Sequence, residues 1–243
     1  MDGKSLSLVI PAYNEEAGIV QAIAEADAAL PRLTRAYEIV IVDDGSRDAT
    51  ADLVRAEARR RPRVRLLRHE INRGYGAALR TGFKAARFDY VAFTDADCQF
   101  HLDDLACLLS LTDQAPIAVG HRMGRQDPWR RRFFSWGYNR LARMLLGTRV
   151  RDVDCALKVF QRDALKQILP ETNGFFVNTE MLTRARLLGL DVAEAGVRHR
   201  PRLKGSSKVS LLDIPRTLRK LIPFWWSNVL WRRPAPQPTA ETA

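Results

Sequence analysis

The sequence predicts an α/β fold built on a mostly parallel, Rossmann-like sheet flanked by helices, and three observations predict it. Short apolar, partly β-branched runs recur at 6–10, 39–42, 64–67, 90–94 and 117–119. Most are separated by Ala/Leu/Arg-rich segments with helical spacing, and such alternation favours parallel strands joined by helical crossovers. The first, second and fourth runs end in polar clusters, Tyr13-Asn14-Glu15, Asp43-Asp44-Gly45-Ser46 and Asp95-Ala96-Asp97. Open α/β sheets bind ligands in the crevice beyond the carboxyl ends of their strands, so these three ends can share one site.

Taken in order, the run 6–10 is stopped by Pro11. After the second run, Gly45 permits a turn, and Ser46 or Asp48 can cap the helix that follows. Capping does not require two adjacent acids, and one of those carboxylates can accept hydrogen bonds from a ribose or a base. Asn72-Arg73-Gly74-Tyr75-Gly76 opens another helix, its glycines letting the backbone approach a ligand or simply pack tightly. The second half is less regular: a helix over 132–146, an extended piece over 156–160, a helix over 179–188 and a strand over 192–197, with no second core. The loop Lys204-Gly205-Ser206-Ser207-Lys208 breaks the pattern. The expected organisation is a catalytic-type domain over 1–210, an amphipathic segment over 211–231 and a Pro/Ala/Thr-rich, disordered tail over 232–243.

The chain's 243 residues and 46% hydrophobic content suit one large globular domain. Lys and Arg total 39 against 28 for Asp and Glu, a net charge of +11, so partners should carry negative charge. The excess is concentrated between Arg122 and Arg151, where Arg125, Arg130, Arg131, Arg132, Arg140, Arg143 and Arg149 are opposed only by Asp127. That block admits two readings, a solvated helix face or a cradle for phosphate and an anionic membrane surface. In 211–231, Phe224, Trp225, Trp226 and Trp231 accompany Arg216, Arg219 and Lys220, a mixture suited to a membrane interface. Three cysteines without metal-type spacing point to free thiols in a reducing compartment. The start of the chain does not read as a signal peptide, and no apolar stretch approaches the ~20 residues of a spanning helix. The expected location is therefore cytoplasmic, peripheral on the cytosolic membrane face.

Asp95-Ala96-Asp97, followed by Gln99, sets two carboxylates and an amide oxygen at the end of a buried-looking strand. Hard cations such as Mg²⁺ or Mn²⁺ take oxygen ligands, and protein sites commonly give them one or two carboxylates, leaving the rest to water and substrate phosphates. Asp95, Asp97 and Gln99 are the candidate metal ligands. His69, His101, His121 and His199 are scattered without ligand spacing.

Together these segments closely resemble family 2 glycosyltransferases of the GT-A fold, and within them the dolichyl- and polyprenyl-phosphate mannose and glucose synthases. The resemblance covers roughly 6–208. It is carried by the run Val9 to Glu16, by Ile41-Val42-Asp43-Asp44-Gly45-Ser46, by Asn72 to Ala78, by Asp95 to Gln99, and by Arg202 with Gly205-Ser206-Ser207-Lys208. It implies that Pro11, Tyr13, Glu15, Val42 and Asp44 hold the nucleoside of a sugar nucleotide, and that Asp95, Ala96 and Asp97 approach its ribose and diphosphate. It further implies that Arg122 sits near the donor and that Arg202 and Lys208 close over the diphosphate. Arg131, Ser135 and Asn139 resemble positions that receive an acceptor phosphate, and Asp95, Asp97 and Arg131 are the catalytic candidates. Glu180 matches an acid of the family's late helix and reads equally well as a solvated residue. The chain departs from the pattern at 152–158, where the synthases often end in Ser-Gly-Phe-Arg and this sequence has Lys158. Lysine keeps the charge without the bidentate fork of arginine.

The implied reaction is an inverting, metal-dependent transfer of a mannose- or glucose-type hexose from GDP-mannose or a UDP-hexose to polyprenyl phosphate. A lipid phosphomonoester has its second pKa near ~6 and is largely dianionic at neutral pH, so no strong base is needed. A hydroxyl acceptor on a glycan or lipid would need one, and Asp152 and Asp154 are the candidates. A nucleic-acid-binding protein is the distant alternative; no recognition motif accompanies the charge, and no nucleic-acid partner is expected.

Overall fold

A computed structural model of the chain describes residues 3–124 and 150–201, together with Gly137, Arg140, Met144, Gly147 and Trp226. The chain divides into two compact units, Met1–Lys208 and Val209–Ala243. In the second, the described residue is Trp226, which is exposed; the rest of the expected amphipathic segment and tail lies outside the described residues. So do Arg131, Ser135, Asn139, Arg202 and Lys208. Within the expected helix over 132–146, Gly137, Arg140 and Met144 are helical.

The first unit alternates strand and helix as its periodicity predicts. Strand β1 (Ser5–Ala12) leads to α1 (Ile19–Ala29), β2 (Ala36–Asp43), α2 (Thr50–Arg60), β3 (Val64–Arg68), α3 (Tyr75–Ala85) and β4 (Tyr90–Phe93). Then follow α4 (Leu105–Leu111), β5 (Ile117–Met123), β6 (Lys158–Gln161), α5 (Arg162–Gln167), α6 (Val177–Leu187) and β7 (Val192–Arg198). Helix α1 buries Ile19, Ala22, Ile23, Ala26 and Ala29, one helical face, and gives way at Pro31 to a single 3₁₀ turn. The N-cap of α2 is Ala49, not Ser46 or Asp48, and no side chain caps the helix there; Asp48 sits one residue earlier, its Oδ1 accepting the Thr50 amide at 3.0 Å.

The seven strands lie in the order β3-β2-β1-β4-β6-β5-β7. All pairings are parallel except those of β6, which runs antiparallel to both β4 and β5. The expected strands are present; the reversed insertion of β6 is the feature periodicity does not reveal. Central strands such as β1 and β2 are apolar on both faces because helices cover both, which is why they read as continuous runs. Helix α3 presses closely on the sheet at Gly82, where a Cβ would overlap Val9 Cγ1. Beside it Phe83, Phe93 and Phe160 pack with ring centroids 5.8–6.3 Å apart, tying α3 to β4 and β6. Each fully buried phenylalanine contributes about 1.5–3 kcal/mol of burial, so this cluster anchors the reversed strand. No helix among the described residues is long and apolar enough to cross a membrane.

Candidate active site

Because β1, β2 and β4 are parallel and neighbouring, their carboxyl ends emerge on one edge, with Ala12 opposite Asp43 and Val9 opposite Phe93. The segments beyond them lock together. Asn14, at φ 50°, takes the left-handed conformation that asparagine tolerates. Its amide donates to Ser46 Oγ at 2.9 Å, and its Oδ1 accepts the Arg47 amide at 2.9 Å. The Glu15 amide donates to Thr50 Oγ1 at 2.8 Å, and Glu16 Oε2 accepts the Ala49 amide at 3.0 Å. The residues after β1 are thus fastened to those after β2.

Asp44 makes the next link. Its Oδ1 accepts the Arg73 amide at 2.9 Å and its Oδ2 the Gly74 amide at 2.8 Å, while His69 Nδ1 lies 2.6 Å from Oδ1. His69 in turn contacts Thr81 Oγ1 at 2.9 Å, so this histidine is a buried structural partner. Asp44 therefore holds the glycine loop that opens α3. The first residue of α3, Tyr75, donates its hydroxyl to Asp95 Oδ1 at 2.8 Å. Burial above all, then Asp95, Asp97 and Asp154, pushes the Tyr75 phenol well above its ordinary pKa. Gly18, just before α1, faces this turn: a Cβ there would lie 3.5 Å from the Ala96 carbonyl oxygen.

Asp44, Asp95, Ala96 and Asp97 are thereby gathered at one edge of the sheet, with Pro11, Tyr13 and Glu15 on the adjoining segment. Asp97 is buried, and its Oδ1 accepts the Gln99 amide at 3.2 Å. Gln99 Nε2 donates to the Arg200 carbonyl at 3.4 Å, and the Arg200 amide donates to the Gln99 carbonyl at 2.9 Å. An isolated bridge between Phe100 and His199 extends this pairing, bringing the exit of β7 to the acidic turn. Val42 is placed differently: it is fully buried, and a Cβ on Gly82 would lie 3.1 Å from its Cγ2. Its side chain belongs to the packing under α3.

Two carboxylates on one turn are hard oxygen donors and fit a Mg²⁺- or Mn²⁺-sized cation. Among the described residues no group of three His, Cys, Asp or Glu side chains could hold a metal on its own. A cation held there would complete its shell with phosphate oxygens and water.

The reversed strand brings a second group to the same edge. Arg122, at the end of β5, forms a two-pronged pair with Asp152, Nε to Oδ2 at 2.6 Å and Nη2 to Oδ1 at 2.8 Å. Both are buried to within 10% of side-chain exposure, so Asp152, one of the two candidate bases, is committed to a structural ion pair. Lys158, the departure from the family pattern, is 1% exposed. Its ammonium donates to the Val153 carbonyl at 3.0 Å, to the Cys155 carbonyl and to Asn178 Oδ1 at 3.1 Å, and lies 5.3 Å from the Phe93 ring centre. Burial lowers its pKa. Lys158 thus shapes the loop that carries Asp154 toward Tyr75 rather than offering charge to a ligand.

Glu180 is also a buried residue, not a solvated one. Its carboxylate accepts the Glu171 amide at 2.8 Å, the Thr172 amide at 3.0 Å and Thr172 Oγ1 at 2.6 Å. Tyr75 and the segment 170–176 were not singled out from sequence; the tyrosine between Gly74 and Gly76, at the head of a helix facing the acids, was the available signal.

Comparison with known proteins bears on the family and the fold. Undecaprenyl-phosphate 4-deoxy-4-formamido-L-arabinose transferase of Edwardsiella ictaluri is 32% identical over 220 residues, covering 89% of this chain and 66% of that protein. Glycosyltransferase AglD of Haloferax volcanii is 32% identical over 238 residues, covering 92% of this chain and 37% of that protein. The chain spans about two thirds of the length of the bacterial transferases. Among solved structures, glucosyl-3-phosphoglycerate synthase from Mycobacterium tuberculosis in complex with Mn²⁺, uridine diphosphate and phosphoglyceric acid shares the fold. Its TM-score is 0.73 at 23% identity, over 93% of this chain and 78% of that one. The model of Glycosyl transferase family 2 matches residues 7–169, which run from β1 past the acidic turn and the reversed strand. The chain belongs to glycosyl transferase family 2.

Proposed function

We propose that this chain transfers a sugar from a nucleotide sugar to polyprenyl phosphate, with inversion at the anomeric carbon and with the help of a divalent cation. The observation that carries the reading is the series of contacts from Asp44 through the glycine loop and Tyr75 to Asp95 at one edge of the sheet. The named activity of the bacterial relatives supports the lipid phosphate as acceptor. A hexose of the mannose or glucose type, carried by GDP or UDP, remains our reading of the donor; a pentose derivative such as the relatives transfer is the variant to compare.

In this reading Pro11, Tyr13, Glu15 and Asp44 border the nucleoside, Asp44 by fixing the glycine loop. Asp95 and Asp97, with Gln99, would hold Mg²⁺ or Mn²⁺, which when bound neutralises charge growing on the departing diphosphate. Arg202 and Lys208 would add positive charge to the same diphosphate, and Arg131 and Ser135 would receive the acceptor phosphate. Arg122 acts one step back, clamping Asp152 and so the loop that leads to Asp154. The acceptor phosphate is already an anion at neutral pH, so the residues here need to align it rather than deprotonate it. Loss of Asp152 to an ion pair leaves Asp154 as the remaining candidate base, which weighs against a hydroxyl acceptor. The aromatic and basic segment over 211–231 would rest on the cytosolic face of the membrane that supplies the lipid.

The test uses purified full-length protein with labelled GDP-mannose, UDP-glucose or a UDP-linked pentose, Mg²⁺ or Mn²⁺, and polyprenyl phosphate. An organic-extractable product cleaved by mild acid is expected, and Asp97→Ala should abolish it without unfolding the protein. Absence of labelled lipid with every donor, or full activity in Asp97→Ala, would refute the proposal.

A further inference from the structure

Tyr75 reaches the acidic turn with its hydroxyl, and the molecule holds it still from several sides. Its hydroxyl donates to Asp95 Oδ1 at 2.8 Å. Its ring stacks on Phe175, with centroids 5.5 Å apart and planes 27° apart. Phe175 belongs to the segment 170–176, which lies across the start of α3. The Gly76 amide donates to the Asn173 carbonyl at 2.9 Å. Arg80, one turn further along α3, donates to the carbonyls of Pro170 at 3.1 Å and Glu171 at 2.9 Å, and to Asn173 Oδ1 at 2.8 Å. From the other side Glu180 of α6 accepts both amides at 171 and 172, and Arg184 pairs with Glu180 at 3.0 Å and with Glu171 at 2.8 Å. The fit leaves no slack: a Cβ at Gly74 would overlap the Asn173 carbonyl oxygen, and one at Gly76 that of Thr172.

A contiguous set of contacts therefore runs from Glu180 through 170–176 and Phe175 to Tyr75 and ends on a carboxylate oxygen of Asp95. A carboxylate rotates readily about its last bond, and which oxygen it presents to a cation depends on what the other oxygen is bonded to. We propose that Tyr75 is the positioning residue of Asp95: its hydroxyl holds Oδ1 and thereby turns the carboxylate edge that meets the cation, with Phe175 and Glu180 keeping the tyrosine in place. The inference rests on the proposed role of Asp95 and Asp97 in holding a divalent cation. Outer hydrogen bonds of this kind orient metal ligands, and their removal costs about 10–100-fold in metal affinity or activity.

The experiment titrates Mn²⁺ into the full-length protein by calorimetry and by the loss of the free-ion paramagnetic resonance signal, with UDP or GDP present. Wild type is compared with Tyr75→Phe, Phe175→Ala and Asp97→Ala. Tyr75→Phe is expected to weaken Mn²⁺ binding about tenfold or more. It should raise the Mn²⁺ concentration for half-maximal transfer by the same factor, with most of kcat recovered at saturating Mn²⁺. A general loss of structure would not produce that split. Phe175→Ala, which leaves the hydroxyl in place and frees the ring, should shift Mn²⁺ affinity in the same direction by a smaller factor. Wild-type Mn²⁺ affinity in Tyr75→Phe overturns the inference and leaves the cation site standing. If Tyr75→Phe does not fold, unchanged affinity in Phe175→Ala overturns it instead. Wild type that binds no Mn²⁺ with either nucleotide removes the cation site itself, and this inference with it.

Discussion

Arg122 and Asp152 meet through both ends of the carboxylate, at 2.6 and 2.8 Å, across the gap between the end of β5 and the loop entering β6. Removing one partner would strand the other's charge in a buried place. Asp152→Ala is expected to cost about 3–5 kcal/mol of folding stability, read as a lower midpoint in urea. Replacing both residues by Met and Leu should recover most of that loss. If the single and double variants unfold alike, the pair is not what holds this junction.

Lys158 gives three hydrogen bonds to groups that have left water, the carbonyls of Val153 and Cys155 and the amide oxygen of Asn178. Lys158→Met would orphan these acceptors at about 1–3 kcal/mol each before relaxation. The pH dependence has a definite sign. Burial lowers the folded-state pKa below 10.5, so between that lowered value and 10.5 the unfolded chain binds more protons than the folded one. The contribution of Lys158 to stability therefore rises with pH through that window. The gap between wild type and Lys158→Met, measured by urea unfolding, should widen as pH climbs toward 10.5; a constant or narrowing gap would contradict this.

The three thiols should separate cleanly. Cys107 is exposed, whereas Cys98 and Cys155 are buried, and burial pushes both of the latter up to about 12. A thiolate-specific reagent at pH 8 should label Cys107 rapidly and the other two only after denaturation. A raised folded-state pKa also means stability that is fully present below the ordinary value of 9.0 and lost as pH rises toward about 12. Cys155→Ala should flatten that alkaline decline; rapid labelling of Cys155 in the native protein would refute its placement.

Gly74 has φ 100° and no space for a side chain against Asn173. Gly74→Ala should destabilise the fold by about 1–3 kcal/mol from backbone strain, with the overlap adding to it, and should depress transfer more than a surface Gly189→Ala control. Gly189 also has a positive φ, 71°, but open space around it, so the control isolates the effect of crowding. Equal losses in the two variants would show that the contact with Asn173 is unimportant.

The strand ends were legible because local chemistry marks them: apolar runs stopped by Pro11, by Asp43-Asp44-Gly45 and by Asp95-Ala96-Asp97 fall where β1, β2 and β4 end. The grouping of those ends also followed, since parallel neighbours must share a carboxyl edge. What sequence did not disclose were pairings over long separations. Nothing local says that β6 slips between β4 and β5, that Asp152 is claimed by Arg122 thirty residues away, or that Lys158 turns inward to carbonyl groups. Glu180 illustrates the limit: an acid on a helix with polar neighbours reads as solvated until the amides of Glu171 and Thr172 are found against it. Val42 shows the converse, a strand residue whose motif neighbours point to a ligand while its own side chain packs beneath Gly82.

The reversed direction of β6 has a consequence for how such a protein can diversify. A parallel strand in that position would be entered from the far edge of the sheet, and the chain leaving β5 would have to cross the whole molecule to reach it. Because β6 is antiparallel to β5, with Val119 opposite Lys158, β5 ends and β6 begins on one and the same edge of the sheet. Sequence can vary between the two ends without shifting the register of a single strand, provided the buried Arg122–Asp152 pair is kept.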